Sequence, residues 1–395
     1  AVTWTQVAQY IVLIIAYLLP IFWISNKMGA GFFPHFMLAD EVARIGELEQ
    51  QFGFVKNSAA DLATVPKGLA GITKAHSAVN ATPWAFISLA LAMMMGTASL
   101  PHVMMRYFTT PSVKAARKSV GWSLFFIFLL YSSAPMLATL SKLSLIDPTL
   151  STGIIGKSFA EVQSIDWFQN WNQANLMFIS DFNGNGTLEL NEFFMGGKAV
   201  VLATPEIAGL PYVISGLVAA GGMAAAMSTA DGLILAIANA ISHDVYYKMI
   251  DPKAETAKRL LVARVLLVVI GFAGATIAAM EIQGILGSVI WAFDFAMSGL
   301  FFPLVLGVWW KRANRQGAIA GMALGLGSAI WYLVWVRTGG SGFLGLSQLT
   351  FGIFGAGVSF IAMVVVSLMT QEPDKATQKM VDEVRIPSGR TVTGK

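Results

Sequence analysis

Residues 217–244, LVAAGGMAAAMSTADGLILAIANAISHD, limit what this chain can become more than any other stretch. The run can cross a hydrocarbon core, for which about 20 apolar residues suffice. In hydrocarbon every backbone polar group has to be satisfied within the protein, so such a run is a helix. Yet it sets Ser228, Thr229 and Asp231 among Ala, Gly, Met, Ile and Leu. Small residues here let neighbouring backbones approach closely. The adjacent hydroxyls, with Ala225 one turn earlier, can turn two side-chain oxygens and a tilted carbonyl toward one point, which suits a hard, partly dehydrated cation such as sodium. The same hydroxyls can instead hydrogen-bond their own i−4 carbonyls or join two helices.

Across its 395 residues the chain is 55% hydrophobic and 12% charged, where soluble proteins carry about 25% charged residues. The apolar residues are spread throughout, so a soluble catalytic domain of roughly 100 residues or more has no room. No spacing matches a nucleophile elbow, a zinc site or a phosphate loop, and the expectation is a protein that is not an enzyme. The net charge of +4 comes from loop lysines and arginines and not from a nucleic-acid surface. Absence of cysteine excludes disulfides and thiolate chemistry.

These features predict an all-α polytopic membrane protein, a transmembrane domain over 1–370 with about eight spans and a cytoplasmic tail over 371–395. The spans fall at 6–24, 84–108, 119–140, 210–241, 260–279, 282–310, 317–336 and 349–369. Within the connection 26–82, residues 39–52 have the apolar spacing of a short surface helix. In the second span Gly96 and Pro101 interrupt the helical pattern, with Thr97 and Ser99 in or beside the interruption. A broken helix frees backbone groups for a solute, and a simple proline kink is the alternative. Arg106, Lys114, Arg117 and Lys118 mark a cytoplasmic connection, as do Lys311, Arg312 and Arg315, which leaves 26–82 and 142–200 outside. Asp294, in the sixth span near Trp291, is a costly carboxylate at membrane depth, either functional or a protonated packing residue.

Residues 181–192, DFNGNGTLELNE, fit the EF-hand loop pattern at every specified position. Asp181, Asn183 and Asn185 supply oxygens at positions 1, 3 and 5, Thr187 a carbonyl, Glu189 a direct or water-bridged contact, and Glu192 a bidentate closure. The expectation is a weak structural calcium site in an extracytoplasmic loop; a metal-free Asn/Gly turn cluster is the alternative.

The run AAAMSTADGLILAIANAISHDVY resembles the eighth core helix of the sodium/solute symporter family, where adjacent hydroxyl residues bind the coupling sodium. WTQVAQ is similar to the family's W/Y-T-D-x-x-Q signature, with Gln6 where many members carry Asp, which favours one coupling cation. GTASLPHVMMRYFT resembles the sixth core helix, most of all in acetate-carrying members, and WWKRANRQGAIAGMALG is a further match. The resemblance implies a leucine-transporter-type inverted-repeat fold. Of this fold the chain would hold the last helix of the first repeat, the whole second repeat and two extra helices, as the C-terminal portion of a longer protein. Sodium would be held by Ala225, Ser228 and Thr229, completed by upstream carbonyls of the first core helix. Gly96, Thr97, Ser99, Trp291 and Asp294 would bind or gate the solute, with half-helix N-terminal amides around Thr97 and Ser99 holding a small anion. The implied activity is sodium-coupled symport of a small solute, acetate or another short monocarboxylate, in a bacterial inner (plasma) membrane; a symporter-like sensor or a different solute is the alternative. Implied partners are the solute, the lipid bilayer and a small membrane subunit, with no nucleic acid. The EF-hand-like insertion departs from the family's common pattern.

Overall fold

The computed structural model describes residues 2–29, 31, 33–52, 83–104, 107 and 109–385. Much of the expected connection 26–82, Arg106 and the last ten residues of the expected tail lie outside the described residues.

In chain order the helices are α1 (Val2–Lys27), α2 (Leu38–Gln51), α3 (Pro83–Ser99), α4 (Pro101–Met104), α5 (Val113–Ile146), α6 (Phe159–Gln163), α7 (Asp166–Gln173) and α8 (Val200–Ile207). They continue as α9 (Tyr212–Asn239), prolonged by a π-helical stretch Ala240–Ile250, then α10 (Thr256–Ala279) and α11 (Ile285–Ala296). A π turn, Met297–Phe301, leads into α12 (Phe302–Trp309), followed by α13 (Arg315–Arg337), α14 (Gly352–Met369) and α15 (Lys375–Val384). Two short strands, β1 (Met177–Ile179) and β2 (Phe193–Met195), pair antiparallel with Phe178 opposite Phe194. Among the described residues this ribbon is the departure from an all-helical chain.

Among the described residues seven helical stretches are long and apolar enough to cross a membrane: α1, α5, α9 with its continuation, α10, α11 through α12, α13 and α14. The second expected span, 84–108, is broken at Pro101, as its sequence leads one to expect. Its first piece, α3, has 17 residues and stops at Ser99. Pro101 has no N–H to donate and pushes the preceding Leu100 out of helical conformation, so the chain restarts as α4.

Contacts divide the chain into two compact units, residues 1–77 with 121–231 and residues 78–120 with 232–395. In the first unit the segment expected as an extracytoplasmic loop is a folded module with its own core. Ile154, Ile155, Val162, Phe168, Leu188 and Phe193 are buried together with Leu143, Leu145 and Ile146 from the end of α5. The expected surface helix forms as α2, but it is corrected to a docked one, since Ile45 and Leu48 enter this core. Glu49 on α2 makes a buried ion pair with Lys142 on α5, and Arg44 pairs with Asp147.

In the second unit α13 and α14 pack through small residues. Gly317, Gly321 and Gly325 recur every fourth position and admit the Ser367, Met363 and Ser359 side of α14; a Cβ at Gly321 would stand 3.0 Å from Met363 Cβ. Asn314 caps α13 by accepting from the Gly317 amide at 2.9 Å, and its own amide donates to Thr370 Oγ1 at 2.7 Å. The expected tail begins with a helix, α15, capped by Asp374 and tied back by a 2.8 Å ion pair between Asp382 and Lys311.

Candidate cation and solute sites

In the first unit the three residues expected to hold sodium come together on α9. Positions 225, 228 and 229 share a face by helical spacing. Ser228 Oγ donates to the Ala225 carbonyl at 3.0 Å and Thr229 Oγ1 donates to the same oxygen at 3.3 Å. Both hydroxyls thus take the local back-bonded arrangement while gathering three oxygens at one point. Gln6 on α1 donates its side-chain amide to the Ser228 carbonyl at 3.4 Å. Ala225 also lines an apolar cavity of about 380 Å³ together with Leu13, Tyr17, Tyr131 and Gly222. Asp231 is exposed.

In the second unit Gly96 does not interrupt its helix as expected; it is a packing position. A Cβ there would stand 2.6 Å from the Phe293 carbonyl, so glycine is what lets α3 lie against α11. Thr97 and Ser99 donate to the carbonyls of Met93 and Met95, each at 2.6 Å. Thr97 and Ser99 themselves end α3, where carbonyls are left over, and the helix start beside them is that of α4 at Pro101. Thr97 takes only a 3.4 Å bond from Leu100, because Pro101 has no N–H for its carbonyl.

Trp291 and Asp294 lie one turn apart on α11 but face different surroundings. The Trp291 indole donates to the Gln348 carbonyl at 2.8 Å, and the Arg337 guanidinium lies 5.2 Å from its ring. Asp294 has no exposed surface and sits against Gly352 at the start of α14. Ser298 donates to the Asp294 backbone carbonyl at 2.7 Å and lies 3.2 Å from that of Gly352.

The six expected calcium ligands lie in one loop joining β1 to β2, with Gly184 and Gly186 both at φ +72°. Their oxygens accept the loop's own N–H groups. Asp181 accepts from Gly184 and Gly186, Asn183 from Asn185, and Asn185 from Thr187. Buried Glu192 accepts from Phe182 at 2.9 Å and Glu189 at 3.0 Å, while both Asn amides donate to Glu189. Among the described residues no three acidic or histidine side chains are grouped so as to hold a metal.

The family model described as sodium:solute symporter family matches residues 1–145 and 198–325, more than half of the chain. The chain belongs to the sodium:solute symporter family. The matched segments contain α3, α9 and α11, whereas the module with the EF-hand-like loop falls between them. Family membership, with seven stretches among the described residues long and apolar enough to cross a membrane, makes this a multi-pass membrane protein of a transporter family. An uncharacterized symporter of Cupriavidus necator is 42% identical over 76% of this chain and 44% of its own length. A monocarboxylic acid transporter of Corynebacterium glutamicum is 28% identical over 65% of this chain and 39% of its own. The fold matches that of a Na+-coupled sialic acid symporter solved in a substrate-bound outward-open state, at a TM-score of 0.55 and 18% identity over 95% of this chain and 63% of the other. The chain thus spans less than half the length of these curated relatives.

Sequence reasoning missed the partners. Gly352 and Ser298 around Asp294, and Glu49 beside Lys142, carry no local signal that would pair them. Gln6 was visible only as a departure from the family signature; its bond to the Ser228 carbonyl needed the fold.

Proposed function

We propose that this chain forms part of a secondary transporter that couples sodium entry to uptake of a small solute by alternating access, in the plasma membrane. One observation carries the reading: the Ala225 carbonyl and the Ser228 and Thr229 hydroxyls lie together on a membrane helix. Each hydroxyl oxygen has two lone pairs, so turning the two O–H groups away from the carbonyl would offer a cation three neutral oxygens. Neutral oxygens suit a monovalent ion that has to be released again inside. Gln6 brings an amide, a donor, to the neighbouring Ser228 carbonyl, which fits a single coupling cation.

Acetate or another short monocarboxylate is the solute this reading favours, on the residue runs quoted above and the monocarboxylic acid transporter among the relatives. The end of α3 offers acceptors, so donors for such a carboxylate would come from the start of α4 or from another element. We further propose that residues 181–192 bind calcium weakly, as a clamp for the module that carries them; the motif spacing supports this.

The test is radiolabelled acetate uptake into proteoliposomes holding the full-length protein, with and without a sodium gradient. Sodium-driven uptake that both Ser228→Ala and Thr229→Ala abolish is the expected result. Uptake that ignores sodium or survives both substitutions would remove the proposed cation site. Binding without flux would favour a sensor.

A further inference from the structure

Asp294 is a fully buried carboxylate in an apolar helix, and neither of its oxygens has a side-chain hydrogen-bond partner among the described residues. The hydroxyl nearest in sequence, Ser298, is turned to two backbone carbonyls. The elements packed on α11 are α3, α13, α14 and the π turn Met297–Phe301. Of these, α3, α14 and the π turn carry no titratable residue. On α13 the candidates are Arg315, Tyr332 and Arg337. Tyr332 donates to the carbonyls of Phe343 and Leu346, Arg337 lies over Trp291, and Arg315 is at the opposite end of the helix. Among the described residues no cation and no side-chain donor compensates a charge on Asp294, and the donor beside its carboxyl is the Gly352 backbone N–H. A carboxylate so placed is far less stable than the neutral acid, because burial penalises only the charged form.

The π turn begins three residues after Asp294 and separates α11 from α12. Such interruptions of the i→i−4 ladder occur mostly at functional positions.

We infer that Asp294 is a proton-binding site, a neutral acid while α11 is packed on α14, which gives its proton to water when the two part and takes one back before they close. The bond broken on opening is the acid O–H; the products are a solvated carboxylate and hydronium. The protonated state follows from the packing alone, whereas its exchange during turnover rests on the alternating-access reading above.

Infrared spectroscopy of the full-length protein in membranes tests the first part without transport. At neutral pH the unvaried protein should show a protonated-carboxyl C=O stretch that shifts in D2O and disappears in Asp294→Asn. Absence of any such band in the unvaried protein overturns the proposal, as does a band that survives Asp294→Asn. Should the Asn variant fail to fold, Asp294→Glu is expected to move the band, and an unmoved band counts against the site. The second part is read from sodium-driven uptake, which should fall about tenfold per pH unit on the alkaline side in the unvaried protein and lose that slope in Asp294→Asn. An equal slope in both forms overturns exchange during turnover. The expected infrared band with no uptake at any pH would fail the transport reading and leave the protonated acid standing.

Discussion

Asp294 and Gly352 share one small space: a Cβ added to Gly352 would stand 2.5 Å from Asp294 Oδ1 and 2.7 Å from Met297 Cε. Glycine at the first position of α14 is what lets the carboxyl group be enclosed. Gly352→Ala should therefore destabilise the protein by about 1–3 kcal/mol, the usual cost of overpacking a tight contact. Gly357, on the same helix, meets nothing within 4 Å, so Gly357→Ala should be neutral or stabilising, by about 0.5–1 kcal/mol. Thermal midpoints in detergent decide it, and equal shifts for both variants would contradict the packing argument.

What could be read from the sequence was local. Ser228, Thr229 and Ala225 are joined by helical spacing, and Pro101 breaks its helix through its own ring, so both features needed no tertiary knowledge. Gly96 was misread because a glycine that admits a neighbouring helix and one that ends its own look alike until Phe293 is placed. The module of residues 142–200 read as a loop since its apolar residues, such as Ile154, Phe168 and Phe193, sit in elements too short to show a period. Glu49 and Lys142, 93 residues apart, are paired only once α2 has docked.

Calcium should raise the thermal midpoint of the full-length protein with a Kd on the order of 10⁻⁴ to 10⁻³ M, and magnesium should not. At hundredfold excess over Kd the stabilisation would be about 2.7 kcal/mol. Asp181→Asn and Glu192→Gln should abolish the calcium response. Glu192→Gln should also lower the midpoint without calcium, since Glu192 accepts two backbone N–H groups in the calcium-free loop. A response that survives both substitutions would show that calcium acts elsewhere.

Docking of α15 should fail in acid. Its hydrogen bond to Lys311 holds the Asp382 carboxyl below the ordinary carboxylate range. A lowered carboxyl pKa means that the contribution is complete above the unperturbed value, about 3.9, and is lost as pH falls through the lowered one. Because the chain has no cysteine, spin labels at Met380→Cys and Ile319→Cys report the distance from α15 to α13 directly. The distance should hold from neutral pH to about pH 4 and broaden below it. Asp382→Asn should broaden it at every pH, and an unchanged distance in that variant would remove the ion pair from the account.

The Glu49–Lys142 pair sits where α2 meets α5, with side-chain exposures of 6% and 0%. Two charges enclosed this far are costly to desolvate, and each is tolerable only because the other is there. Glu49→Gln or Lys142→Met alone should therefore destabilise by about 3–5 kcal/mol, since each leaves one buried charge without its partner. Glu49→Leu combined with Lys142→Met removes both charges and should recover most of that loss. Thermal midpoints measure the cycle, and proteolysis within residues 142–200 localises the effect, because α2 and the end of α5 share the core of that module. If the double variant is as unstable as the sum of the single ones, the two charges do not compensate each other. Ile45, Leu48 and the Arg44–Asp147 pair would then be what fixes α2 in place.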